Sequence, residues 1–250
     1  VLGEAFKMGR TPKDPKEIFK EFTNDYLEAF GDDLMSIVLY GSGATSDYRP
    51  GKSDLNFLIL LSEKGIANLD KAFPTVRKWK KRGVKTPLFL TEEYFNGSLD
   101  VYPIEYLGFQ RRHVTVYGKD LFEHLEFDRE CLRLQCEREI KGKLLLLRHA
   151  YLESEGRGNE LKKVAVHSMP AFFAIFEGLL HLKNNTVPVE KREVIRVACD
   201  DFGLDAEVFN KVMDISTGEF KPDDSALRGL FKQYLGAVRT LAGLVDRMEK

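Results

Sequence analysis

Apolar and polar positions follow two textures along the chain. In the N-terminal half the apolar residues come in runs of strand length: Met35 to Tyr40 and Leu55 to Leu61, then Pro87 to Leu90, Leu99 to Phe109 and His113 to Tyr117. Runs of this kind, bounded by Gly, Ser and Asp, predict strands. Pro103 inside the fourth run points to an edge position or a bulge, because proline cannot donate to a ladder. Between the runs the period changes. Phe19, Phe22, Tyr26, Leu27 and Phe30 lie at helical spacing, with Pro15 suited to a first turn and Gly31 to a stop. Gly65 to Arg82 also predicts a helix, bent or split at Pro74, and Thr91 is placed to cap a turn over TEEYF.

After about Phe127 the helical period takes over. DRECLRLQCEREIKGKLLLLRHAYLE repeats apolar residues at Leu132, Cys136, Ile140, Leu144, Leu147 and Tyr151. ELKKVAVHSMPAFFAIFEGLLHL is a second helix, almost wholly apolar in its later half and so expected at the centre of a bundle. PVEKREVIRVACDDFG opens on Pro and closes on Gly, two helix punctuation marks, and ALRGLFKQYLGAVRTLAGLVDRMEK is a last long helix. No run here predicts a strand. The expected architecture is an α/β (α+β) domain over residues 1–126, a mixed sheet with flanking helices, followed by an all-α helical bundle domain over 127–250.

Composition narrows the function classes. Hydrophobic residues at 43% and charged residues at 31% match a soluble globular protein. The strongest apolar run, Leu55 to Leu61, has strand length, so no membrane span is expected. Lys7, Arg10 and Lys13 interrupt any signal-peptide core. Cys131, Cys136 and Cys199 lack the number and spacing of a disulfide framework or a zinc site, and a reducing cytoplasm is the expected compartment. The formal net charge of −1 gives no general attraction to nucleic acid. Arg111 and Arg112 read as a solvated pair, with His113 after them as a surface residue.

The chemistry concentrates in VLYGSGATSDYRPGKSDLNFLILL, Val38 to Leu61, which holds three partial phosphate motifs. Gly41-Ser42-Gly43 begins a dinucleotide loop, but the third Gly is missing and Asp47, Arg49 and Pro50 leave no room for the helix such a loop opens. Gly51-Lys52-Ser53 ends like a P-loop, but Ser46 stands at the first Gly position and Lys-Ser leads into DLNFLILL, a strand pattern where a P-loop requires a helix. The third reading fits its context: an apolar strand ending at Tyr40, Gly41-Ser42, a spacer, then Asp54-Leu55-Asn56 opening a second apolar strand. Strand residues two apart share a face, so Asp54 and position 56 project together while Leu55 and Phe57 pack on the other side.

This arrangement resembles the nucleotidyltransferase superfamily (the DNA polymerase beta-like and antibiotic nucleotidyltransferase-like fold), whose signature is a strand, Gly-Ser, a spacer, and Asp-x-Asp or Asp-x-Glu in a strand. With LDVYPIEYLGF and KGKLLLLRHAYLE, the whole chain is similar to bacterial members known mainly as predicted nucleotidyltransferases. The resemblance implies transfer of a nucleoside monophosphate from a nucleoside triphosphate such as ATP to a hydroxyl on a small molecule or a protein, releasing pyrophosphate. It implies Mg²⁺ held by Asp54, position 56 and a third carboxylate. Gly41, Ser42, Lys52 and Ser53 become nucleotide-binding candidates, and Asp54, Asp100 and Glu105 catalytic ones. The third carboxylate is either Asp100, at the start of the run LDVYPIEYLGF, or Glu105 deeper in it. In a regular strand these two face opposite sides, and a bulge at Pro103 would change that parity. Asp100 is also the candidate third metal ligand, and either carboxylate would suit a general base toward the acceptor hydroxyl. The departure is Asn56, which can offer a carbonyl oxygen to Mg²⁺ but no negative charge. The alternative function is therefore a catalytically impaired nucleotide-binding or protein-interaction module on the same fold.

Overall fold

A computed structural model of the protein describes residues 11–248. Lys7, Arg10 and the outermost residues of both expected domains lie outside the described residues. The chain divides into two compact units, Val1–Leu99 with Tyr106–Glu126, and Asp100–Glu105 with Phe127–Lys250.

The first unit is built on four strands, β1 (Leu34–Tyr40), β2 (Asn56–Leu61), β3 (Leu88–Leu90) and β4 (His113–Gly118), in the spatial order β3-β2-β1-β4. β1 runs antiparallel to both β2 and β4, while β2 and β3 are parallel, so the sheet is mixed. The helical stretch from Pro15 is one 3₁₀ turn running into α1 (Phe19–Phe30), opened by a capping box from Asp14. The expected helix over Gly65 to Arg82 is instead three pieces: α2 (Glu63–Ile66), a 3₁₀ turn at Leu69–Ala72, and α3 (Phe73–Lys80). Pro74 is the second residue of α3, within the first turn where proline is tolerated, so the helix is split just ahead of it and not bent at it. α4 (Glu92–Gly97) is capped by the Thr91 hydroxyl, which accepts from the Tyr94 N–H at 3.1 Å.

One correction bears on the site. Leu99 to Phe109 is no strand: α5 (Pro103–Arg111) occupies most of it, and Pro103 is its first residue rather than an edge or bulge position. Ile104, Tyr106 and Leu107 are buried there. The pair at i and i+3 is helical spacing, which the short apolar run did not distinguish from strand.

Alternate residues of the two long strands face one core. Ile37, Leu39, Leu55, Phe57, Ile59 and Leu61 pack with Phe22, Tyr26 and Phe30 of α1 and with Trp79 of α3. The Phe22 ring stacks on Phe57 at 4.1 Å, and the Trp79 indole donates to Asp25 at 2.7 Å. On the opposite face Val38, Leu58 and Leu60 are also buried.

The second unit consists of α6 (Arg129–Glu153), α7 (Gly158–Leu182), α8 (Lys191–Phe202), α9 (Ala206–Thr217) and α10 (Asp224–Asp246). α9 was not foreseen, although Asp205 caps it, Gly218 ends it, and Val208, Phe209, Val212 and Ile215 form its buried stripe. α7 corrects another expectation, since it is long and apolar enough to cross a membrane by length and composition. Of its most apolar 18-residue window, 56% is buried in the fold, and Phe172, Phe176, Leu179 and Leu180 are fully enclosed. It is the core helix of this bundle.

Candidate active site

The chain leaves β1 at Gly41 with φ of +76°, a conformation open to glycine and strained for other residues. The Gly41 N–H donates to the Arg112 carbonyl at 3.0 Å, and a Cβ at Gly41 would lie 3.8 Å from Asn56 Nδ2. The turn is thereby set beside the motif strand. Gly41–Ala44 forms a single 3₁₀ turn. Gly43 is buried in it, and a Cβ there would come within 2.9 Å of Leu55 Cδ2 and 3.2 Å of Leu39 Cδ1. The second glycine therefore answers to close packing on the sheet. The Ser42 carbonyl accepts from Thr45, and among the described residues the Ser42 hydroxyl has no hydrogen-bond partner.

The spacer closes through a tight turn, in which the Arg49 carbonyl accepts from the Lys52 N–H at 3.0 Å and the Ser53 N–H at 2.8 Å. Ser53 Oγ accepts from the Arg49 N–H at 3.1 Å, so Ser53 helps to shape this turn. Lys52 is exposed on it. The chain then enters β2 with no helix, as the strand reading required.

Cross-strand register lines up a polar row at this end of the sheet. Tyr40 pairs with Asn56 on one side and His113 on the other, and directly opposed residues share a face. This is the face away from α1. Burial pushes the Tyr40 phenol up. His113 is not the surface residue expected, its side chain being only 15% exposed. Its Nδ1 lies 3.1 and 3.0 Å from the carbonyls of Phe109 and Gln110, and its Nε2 lies 3.1 Å from both Asp120 oxygens. Burial works against the Asp120 carboxylate, but the Phe122 amide, His113 and Thr115 outweigh it and hold that carboxyl below its ordinary range.

Asp54 has a partner that the sequence reading missed. Lys85 Nζ stands 3.4 Å from Asp54 Oδ2, with the two side chains 62% and 56% exposed. Leu55 and Val84 form a parallel bridge, with the Leu55 N–H donating to Gly83 at 3.1 Å and the Lys85 N–H to Leu55 at 2.9 Å. A basic residue just ahead of the strand that flanks the motif strand was the available signal.

The candidate third carboxylates come later in the chain. Asp100 precedes α5 in a turn, and Glu105 lies in the first turn of α5. Both belong to the second unit. There Gln135 binds the start of α5, accepting from the Ile104 N–H at 2.8 Å and donating to Glu105 Oε2 at 2.6 Å. With a turn and a helix in place of the strand, strand alternation does not set the faces of Asp100 and Glu105.

Within the first unit the donors do not suit Mg²⁺. That ion takes near-octahedral oxygen ligands. Around Asp54 the described residues of the first unit offer its own carboxylate, the neutral Asn56 amide and the Lys85 ammonium group. Among the described residues no three His, Cys, Asp or Glu side chains gather to hold a metal ion.

No protein-family model matches the chain, and no curated protein does. Among solved structures the chain is similar to the spectinomycin adenyltransferase AAD(9) from Enterococcus faecialis, crystallised with ATP and spectinomycin. The TM-score is 0.52 at 11% identity, over 88% of this chain and 99% of that one. The likeness shows the fold: a mixed four-stranded sheet with helices, followed by a helical bundle, as in that nucleotidyltransferase-fold protein.

Proposed function

We propose that the chain binds a nucleoside triphosphate at the turn after β1 and transfers its nucleoside monophosphate to a hydroxyl acceptor, releasing pyrophosphate. Residues 1–126 form the nucleotide-binding domain in this reading, and 127–250 a separate bundle domain. The carrying observation is the juxtaposition of Gly41 with Asn56, two residues on from Asp54, at one end of the sheet. Gly41 lets phosphate approach the backbone, the Ser42 hydroxyl is free to donate to it, and Lys52 offsets its charge. The acceptor oxygen bonds to the α-phosphorus, the bond from that phosphorus to the bridging oxygen breaks, and the hydroxyl proton passes to a carboxylate. Asp54, Asp100 and Glu105 are the carboxylates proposed for that role. The Mg²⁺ dependence expected from the motif is not carried into this reading, because the donors within the first unit do not suit the ion. The ATP and spectinomycin in the AAD(9) structure support ATP as donor and a small hydroxylated molecule as acceptor, with a protein hydroxyl as the other class.

The second reading, a nucleotide-binding module that does not turn over, is favoured by Asn56 and by the Lys85 ammonium already beside Asp54. Pyrophosphate release from ATP, measured with a panel of hydroxylated small molecules and alongside calorimetric titration of ATP, separates the two. The first reading expects saturable binding and release that Asp54→Asn abolishes. Binding with no release for any acceptor supports the second, and no binding ends both.

A further inference from the structure

We infer that Lys85 is the fixed cation of this site, and that it lets a nucleoside triphosphate bind without a divalent metal. The inference rests on the nucleotide-binding reading above and adds how the phosphate charge is met. Its ground is backbone placement. Leu55 and Val84 are bridged and buried in the same core, at 0% and 3% exposure. Strand alternation then turns Asp54, Asn56 and Lys85 together to the other face. The position of Lys85 follows from this pairing, whatever rotamer its long side chain adopts.

Charge supplies the rest. A motif with two carboxylates carries two negative charges and repels a triphosphate until dications intervene. Here Asn56 removes one of those charges and Lys85 cancels the other, while Lys52 on the adjoining turn adds a positive charge. The anion meets a neutral to positive surface. The ammonium that makes this surface receptive also opposes a dication at Asp54, since like charges at such range repel. The loss of the second acid and the presence of the lysine are thus two parts of one electrostatic arrangement. An ammonium is a compact charge with three donors and suits phosphate oxygens without demanding a fixed coordination geometry.

Calorimetric titration of ATP into the full chain, once in EDTA and once in MgCl₂, tests this. The wild type is expected to bind equally in both. Lys85→Met should weaken binding in EDTA roughly tenfold, the scale of one charge-assisted phosphate contact, and Lys85→Arg should retain it. The double variant Asn56→Asp, Lys85→Met should reverse the preference and bind more tightly with Mg²⁺. Lys85 is exposed, so matching unfolding midpoints will show that the variants are folded. Wild-type binding that requires Mg²⁺, or a Lys85→Met variant indistinguishable from wild type in EDTA, overturns the inference and leaves the nucleotide reading in place. No binding in either buffer overturns both.

Discussion

The two faces of β2 divide the labour of the first unit. On one face Phe57, Ile59 and Leu61, with Leu55 just ahead of the strand, are apolar and fully buried against α1 and α3. On the other, Leu58 and Leu60 are buried, but the strand turns polar at Asn56, beside Tyr40 and His113. One strand thus holds the fold together with odd-numbered positions and presents chemistry with even-numbered ones. Changes on the first face should read out as stability, and changes at the polar end of the second as binding.

The largest expected effect tests the first half of that contrast. Phe57 is 0% exposed and stacks on Phe22, so Phe57→Ala should cost about 3–5 kcal/mol, from lost burial and the cavity left behind. Urea unfolding measures it, and a loss below about 1 kcal/mol would break the assignment of this face as the principal core. Gly43→Ala comes next, because it joins the two faces: the turn that carries Ser42 is pinned to Leu39 and Leu55 through this glycine. Both leucines are buried and have little room to give, so about 1–3 kcal/mol of overpacking is expected. Nucleotide affinity should fall with it as Ser42 is displaced. An alanine variant of unchanged midpoint would show that the turn is not held by the core.

Much of this contrast was legible in the sequence. β1 and β2 announce themselves as apolar runs, and strand alternation alone places Asp54 and Asn56 together and away from Phe57. The rest depended on information that no local pattern holds. The segment LDVYPIEYLGF satisfies both periods over so short a span, and Pro103 reads equally as a strand breaker and as a helix opener. Only its packing, with Ile104 and Leu107 both buried, selects the helix. Lys85 lies 31 residues from Asp54 along the chain and meets it through a parallel bridge, which requires knowing that β3 lies beside β2. His113 looked like an exposed residue because Asp120, which receives it, follows β4 and is brought back only by the fold.

The smallest expected effect concerns that last pair and sharpens the second half of the contrast. Asp120 is held below its ordinary range by the Phe122 amide and by His113, against the cost of its burial. A carboxyl lowered in the folded state adds stability that is fully present above its unfolded value. That stability is lost as pH falls through the lower folded value. Asp120→Asn keeps an oxygen to accept from the Phe122 N–H but cannot ionise, so it lacks this term at every pH. The wild type should therefore exceed the variant in urea midpoint near neutrality, and the gap should close below the usual carboxylate range. Both side chains are partly solvated, at 15% and 33% exposure, so the gap should not exceed about 1 kcal/mol. A gap that stays constant through acid would mean that the His113–Asp120 contact is geometric only. The polar end of the sheet would then owe its order to the core face beneath it, and the division between the two faces would be less complete than the strand pattern implies.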